Sequence, residues 1–398
     1  LGDVYKRQVL LLVRSTPRWA RDTRWLDSYC GPIDASHYQD FANFMHDAVK
    51  RYSVPPYNVK HWELYNEPDY PIQFIGYPYG EPHGCWGTWD LEGNTDIYGN
   101  GGAYGEMLKV VYPAIKSADP EAQVITGGVL LECDPRVPTG EKISQCELAG
   151  HPASHNDYAR FFEGILATGA GDYFDGIGFH SYEFYPEQSL SPIFGQYYSK
   201  DWNSSWNTTG PVLIAKTQYI ASLLQQYGVS GKDLYSTESA LVNSDPSHNL
   251  SGGICKPFDS DYERTKASHI VQTYTYAKVL NLKTNIYFSA LGWRCSALME
   301  GYQTTPVQPA YNAYKFAAHT IGPADFVREV WDYDKVRAVE FTKYKSSTKL
   351  WVIWSLDGAN HSITLPNTPS KIWDMAGVAK SVSGKSFTVR LEPHYIEY

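Results

Sequence analysis

Two hydrophobic patterns alternate along most of this chain. Short continuous apolar runs, of which Val9-Leu10-Leu11-Leu12-Val13 is the clearest, have the look of strands buried on both faces in a parallel sheet. Between such runs lie longer stretches with apolar residues at helical spacing. From about Ser36, for example, Phe41, Phe44, Met45, Val49 and Tyr52 predict one helix. Further strands are predicted to start at Val59, Gln123, Gly176, Asp233 and Asn285. Helices are predicted over residues 104–118, 157–168, 212–227, 262–280 and 310–320. This alternation implies a parallel sheet with right-handed crossovers. It supplies six strands, two fewer than a (β/α)8 barrel needs.

After about Gly322 the period changes. Short alternating segments at residues 336–342, 350–355, 362–365, 372–373, 387–391 and 395–398 are separated by turn formers such as Asp357-Gly358 and Ser383-Gly384. They predict a small antiparallel, sandwich-like β domain. The expected fold is therefore α/β: a TIM (β/α)8-type barrel over residues 9–322 lacking its first two βα units, then a C-terminal antiparallel β domain over 323–398. Residues 1–8 are set aside as an artefactual leader, because residues 3–8 (Asp-Val-Tyr-Lys-Arg-Gln) resemble a translated sequencing adapter. A barrel missing two adjacent strands would expose two sheet edges, so the chain as written is expected to aggregate and to be inactive.

Composition narrows the function. A net charge of -9 and a pI near 5.7 argue against a nucleic-acid or anionic-membrane surface. No apolar run is long enough to span a membrane. The six cysteines show no Cys-x-x-Cys spacing, which argues against a zinc site. Cys133 and Cys146 bracket one polar loop and could form a bridge, as in an extracellular or periplasmic protein; free buried thiols are the alternative.

The candidate chemistry lies at strand ends. The β-prone run His61-Trp62-Glu63-Leu64-Tyr65-Asn66 stops at Glu67-Pro68, and the proline should end pairing and hold Glu67 extended. Far downstream, Lys232-Asp233-Leu234-Tyr235-Ser236-Thr237-Glu238 also closes on a glutamate. Side chains alternate along a strand, so Glu63, Tyr65 and Glu67 should share one face, and Gly178, His180 and Tyr182 another. If those faces line the barrel, Glu67, His180, Tyr182 and Glu238 meet at its C-terminal mouth, where barrel active sites sit. A proton donor for a leaving oxygen and a second carboxylate to capture an oxocarbenium-like centre are the parts of retaining glycoside hydrolysis.

Four motifs in order, Asn66-Glu67-Pro68 after Trp-Glu-Leu-Tyr, His180-Ser181-Tyr182 after Gly-Ile-Gly-Phe, Thr237-Glu238, and Trp293, resemble glycoside hydrolase clan A. The resemblance runs from about Val9 to the end and is nearest to family 39 or family 5-like enzymes. It implies that Glu67 is the acid/base and Glu238 the nucleophile, acting on a β-linked oligo- or polysaccharide. By the same likeness Asn66 would bind the sugar 2-hydroxyl, His180 and Tyr182 would bind sugar and hold the nucleophile, and Trp293 would form a stacking floor. Trp19, in the loop leaving the first strand, joins the substrate-binding candidates. No metal or organic cofactor is required.

Each assignment has a structural rival. Glu67 could be a solvated strand-end carboxylate, Ser-Thr-Glu-Ser a helix start, His180 a core histidine, and Tyr182 or Trp293 core aromatics. Glu63 reads as a lumen carboxylate paired lower in the barrel. Trp86 and Trp89 would either add sugar subsites or pin their loop. For the whole chain, the rivals are a non-catalytic carbohydrate-binding protein on the same fold and a barrel enzyme whose glutamates hold a divalent metal.

Overall fold

The structure is a computed structural model, described here over residues 8–26, 28, 30–72, 85–88, 97–132, 134–136, 157–185, 195–196, 202–204, 206, 208, 210–243, 260–300, 305–306 and 309–398. Cys133, Cys146, Cys255 and Trp89 lie outside the described residues. Residues 1–180 with 218–237 form one compact unit, and residues 181–217 with 238–398 form a second.

The first unit carries β1 (Leu10–Val13), α1 (Tyr38–Tyr52), β2 (His61–Asn66), α2 (Gly101–Ala118), β3 (Gln123–Val129), α3 (Phe161–Ala167) and the start of β4 (Gly176–Tyr185). These four strands pair in parallel in that order, with Val13 beside Leu64, Leu64 beside Thr126, and Thr126 beside Ile177. In α1 the buried stripe is Ala42, Met45 and Val49, while Phe44, which the spacing placed on that stripe, is 57% exposed. The Tyr38 hydroxyl donates to the Ala103 carbonyl at 3.1 Å and ties α1 to α2. Tyr104 of α2 is wholly buried. Its hydroxyl donates to the Leu64 carbonyl at 2.5 Å and accepts the Gly127 N–H at 2.9 Å, joining α2 to both β2 and β3. β1 is half-buried along its length, not buried on both faces as its composition suggested, and among the described residues it pairs with β2 alone.

In the second unit the later part of β4 pairs with the short strand β6 (Asn203–Ser204), which in turn pairs with β5 (Gly195–Gln196). Helix α4 (Val212–Gln226) starts in this unit and ends in the first, and β7 (Asp233–Asn243) starts in the first and ends in the second; β7 pairs with β4 and with β8 (Thr284–Tyr287). β7 does not stop at Glu238 as expected but continues five residues to Asn243. Its extension is buried, and Ser239 accepts the Phe288 N–H at its carbonyl. Helix α5 (Ser260–Val279) precedes β8; β9 (Met299–Glu300), β10 (Thr305–Pro306) and helix α6 (Ala310–Thr320) follow it.

The rest of the second unit is antiparallel. Strands β11 (Asp325–Val330), β12 (Val336–Thr342), β13 (Lys349–Ser355), β14 (His361–Thr364), β15 (Lys371–Asp374), β16 (Ala379–Lys380), β17 (Ser386–Val389) and β18 (His394–Glu397) make two sheets. Six of them run in the order β11-β12-β13-β18-β15-β16, and β14 pairs with β17. One face of the larger sheet buries Val336, Ala338, Trp351, Ile353, Ile372 and Ile396. On the other, Trp354 packs edge-on to Tyr276 of α5, and Tyr395 to Phe316 of α6. Both faces are covered, which is why β12 and β13 are buried almost throughout. The pattern missed β11, an edge strand whose first four residues are exposed and whose polar residues do not alternate.

Cys30 and Cys85 form a disulfide across 55 residues of sequence, joining the loop after β1 to the loop after β2. Cys295 is also disulfide-bonded, and no described cysteine is free. The Cys30–Cys85 cross-link closes a long loop in the unfolded chain, so replacing both cysteines by serine should cost about 2–4 kcal/mol. Urea unfolding of the double variant beside the wild type measures this; equal stabilities would mean that the bridge does not constrain the unfolded chain.

Candidate active site

The end of β2 departs from a regular strand at two residues. Tyr65 has φ 72° and Glu67 φ 44°, both in the left-handed region that non-glycine residues rarely occupy. The proline after Glu67 was expected to hold it extended. Instead local hydrogen bonds fix the turn: the Glu67 N–H donates to the Gly128 carbonyl at 3.0 Å, and the Tyr70 N–H donates to the Glu67 carbonyl at 2.9 Å. The left-handed Tyr65 also breaks the alternation that was to place it beside Glu63 and Glu67. Its ring packs against Phe41, Trp86 and Tyr104 on the helix side, and its hydroxyl lies 2.6 Å from Thr16 Oγ1.

Glu63 and Glu67 face the other way. Glu63 is buried and accepts a hydrogen bond from the Thr237 hydroxyl at 2.8 Å. Glu67 Oε1 lies 2.9 Å from His180 Nδ1; the carboxylate side chain is 26% exposed and the imidazole 1%. The carboxylate therefore reaches solvent while its partner is fixed beneath it. This packing needs two glycines. A Cβ at Gly128 would lie 2.2 Å from His180 Nε2, and one at Gly178 would lie 2.6 Å from Glu63 Oε1.

Asp69, which the sequence reading passed over, is completely buried two residues after Glu67. Its carboxylate accepts the Leu130 and Leu131 N–H groups at 2.8 and 2.7 Å, clamping the turn after β2 to the end of β3. Burial pushes its carboxyl up to about 6, the nearby Glu67 charge adds to the effect, and the two amides oppose it. Nothing in the spacing marked Asp69; its role depends on the backbone of a strand sixty residues away.

Two positions beyond His180 on β4, the Tyr182 hydroxyl donates a short hydrogen bond to Glu238 Oε2. The Tyr182 ring meets Trp293 edge-on at 5.8 Å and Phe288 at 6.2 Å. Trp293 is 43% exposed, with the Arg294 guanidinium 5.3 Å from its ring centre. Burial holds Arg294 below the usual arginine range. Between and beyond the two site residues, Ser181 and Glu183 point to the opposite face, where Glu183 pairs with His269 of α5 at 2.6 Å. Along β4, then, alternate positions serve the site and the helix layer.

The other candidates are placed as follows. Asn66 is half-buried at the last position of β2. Trp19 stands on the 3-10 turn Arg18–Ala20, 66% exposed. Trp86 is fully buried between Tyr65 and Tyr104, so it pins its loop and offers no sugar subsite. Chemically, the Glu67–His180 pair also offers donor types that a divalent ion accepts.

Two outcomes follow from this geometry. Gly128→Ala should displace His180 from Glu67 and lose about 1–3 kcal/mol by overpacking; a thermal melt matching the wild type would show that the site has room to spare. Asp69 binds its proton more tightly when folded than when unfolded. Its contribution to stability is therefore lost as pH rises from about 4 to about 6, by on the order of 3 kcal/mol. In Asp69→Asn this titration is absent, so the wild type's advantage over the variant should shrink across that window. Chemical denaturation at a series of pH values checks the sign.

No protein-family model matches the chain, and no curated protein matches it. Among solved structures it is similar to BuGH86wt, a GH86 glycoside hydrolase in complex with neoagarooctaose, at 12% identity and a TM-score of 0.61, over 99% of this chain and 60% of that one. It is also similar to a glucosidase from Croceicoccus marinus at 12% identity and a TM-score of 0.52, over 98% of this chain and 78% of that one. The chain thus spans about 60% of the length of the GH86 structure. At this identity the likeness is one of fold alone: a parallel sheet with helices, followed by antiparallel sheets.

Proposed function

We propose that this protein is a retaining glycoside hydrolase of the clan A type, acting on a β-linked oligo- or polysaccharide with Glu67 as acid/base and Glu238 as nucleophile. One observation carries the reading: residues two apart on one face of β4 each hold one of the two carboxylates, His180 holding Glu67 and Tyr182 holding Glu238. The partners differ in a way that suits the two roles. A neutral phenol can only donate to a carboxylate, so Tyr182 orients Glu238 as an acceptor. The imidazole nitrogen of His180 is donor or acceptor towards Glu67 according to its tautomer.

In the first step the Glu238 carboxylate attacks the anomeric carbon while Glu67 protonates the departing glycosidic oxygen. In the second, Glu67 removes a proton from water, which displaces Glu238 and regenerates both groups. Trp293, half-exposed beside Tyr182, is the surface on which a sugar face would stack, and Asn66 next to Glu67 is the group for the 2-hydroxyl. The fold shared with a glucosidase and with a protein bound to neoagarooctaose supports a saccharide substrate. The disulfides support an oxidising compartment, extracellular or periplasmic.

Glu67→Gln and Glu238→Gln should each lower kcat by about 100-fold or more, with saccharide binding kept. Proton NMR of the first product formed should show the substrate's anomeric configuration. Inversion would remove the double displacement. Saccharide binding without any release from aryl glycosides would favour the non-catalytic reading, and activity abolished by a chelator would favour a metal-dependent one.

A further inference from the structure

The loop that leaves β1 builds a second feature on the same rim of the sheet. β1 and β2 are parallel with Val13 beside Leu64, so the chain leaves β1 at the end where β2 delivers Glu67. The loop is tied to that end by the Thr16–Tyr65 contact at 2.6 Å and by the Cys30–Cys85 disulfide. It is also closed on itself. The Asp22 N–H donates to the Pro32 carbonyl and the Asp34 N–H to the Ala20 carbonyl, both at 2.9 Å. The Arg21 guanidinium donates to the Thr16 and Leu26 carbonyls at 2.7 and 3.0 Å. The result is a preformed open depression of about 640 Å³, lined by Arg18, Trp19, Thr23, Asp34, Ser36 and His37 among others.

Its chemistry is specific. Trp19 is the most exposed large hydrophobic residue described and lines the depression. It is braced edge-on by His37 at 5.2 Å, and His37 is itself held by Asp40 through Nδ1 at 2.7 Å. Asp34 accepts from both the Ser36 N–H and hydroxyl, which holds its carboxyl below the usual carboxylate range and keeps it an anionic acceptor. A single exposed tryptophan needs no explanation. A braced one over a preformed hollow with fixed polar groups is the composition that takes a pyranose ring: C–H face on the indole, hydroxyls to carboxylate, hydroxyl and imidazole.

We propose that this hollow is a remote saccharide subsite, binding a ring of the substrate chain that is not the one undergoing reaction. The proposal rests on the glycosidase reading for its connection to turnover, but the binding itself does not. It makes the substrate a chain long enough to reach from Glu67 to Trp19. Binding energy gathered at Trp19 then holds the chain in register while the distant bond is cleaved.

The test uses cello-, xylo- and agaro-oligosaccharides of increasing length against two proteins, Glu67→Gln and Glu67→Gln with Trp19→Ala. Affinity is measured by calorimetry, and the Trp19 indole N–H is followed by NMR. The expected result is that longer oligosaccharides of one series shift the indole signal, and that removing the indole weakens their binding about 3- to 10-fold. Trp19→Phe should restore most of the loss. In otherwise wild-type protein, Trp19→Ala should flatten the rise of kcat/KM with chain length. Equal affinities with and without the indole, or an indole signal that no series moves, would overturn the subsite even if hydrolysis is observed. A shifted signal and weakened binding without hydrolysis would keep the subsite and sink the glycosidase reading.

Discussion

The middle of the parallel sheet is crowded, and the site depends on how that crowding is relieved. His180 on β4 and Glu63 on β2 both project into the space beside β3, and two positions give way to them by having no side chain. Gly128 leaves room for the imidazole and Gly178 for the carboxylate. With a methyl group at either place, the imidazole or the carboxylate would have to leave its partner. Thr237 of β7 closes on the same crowded place by its hydrogen bond to Glu63. Strand packing and the positions of Glu63 and Glu67 are thus one constraint, written by small residues in the sheet and not by the acids themselves.

That constraint extends into backbone strain. A glutamate held at φ 44° costs on the order of 1–3 kcal/mol, and such a residue persists only where its surroundings over-determine it. Here the surroundings are identifiable: the Gly128 carbonyl receives the Glu67 amide, and the buried Asp69 carboxylate draws the Leu130 and Leu131 amides toward the same turn. Asp69 carries a desolvation cost to do so, visible in its raised carboxyl. The turn after β2 is therefore stabilised by an arrangement that is locally unfavourable at two of its residues. That is the usual mark of a segment selected for where it places a side chain.

Much of this was legible in the chain. The alternation of apolar runs and helical stripes predicted the parallel strands and their order, and α6 was bounded correctly at Ala310 and Thr320. Tyr182 meets Glu238, the contact the motifs implied, whereas His180, expected to hold Glu238 as well, has its Nδ1 on Glu67. What failed did so where long-range contacts outvote local pattern. Tyr65 breaks the two-residue alternation because Thr16 and an aromatic cluster hold it on the helix side. Glu238 does not end its strand, since β8 supplies partners beyond it. The cysteine pairing could not be read either: six cysteines permit fifteen connectivities, and Cys30 with Cys85 is a contact between loops.

The same lesson applies to α5, whose polar residues gave no hint of how deeply it lies. Glu263, Lys266, His269 and Thr273 are all buried, because one side of this 20-residue helix meets β4 and β7 while Ser268 and Tyr276 reach Met375, Glu329 and Trp354 of the antiparallel layer. A helix covered on two sides cannot keep charged groups in water, so it pairs them. Lys266 donates to Glu263 at 2.8 Å and to the Cys295 and Ala297 carbonyls, and burial lowers its affinity for its proton. His269 reaches across to Glu183. These pairs are worth little as net stabilisation, since desolvation offsets most of their attraction. Their consequence is positional: the bonds of Lys266 to the Cys295 and Ala297 carbonyls and of His269 to Glu183 reach outside the helix and set its rotation. Because Glu183 is the neighbour of Tyr182 on β4, fixing that rotation also fixes the strand that carries the phenol to Glu238.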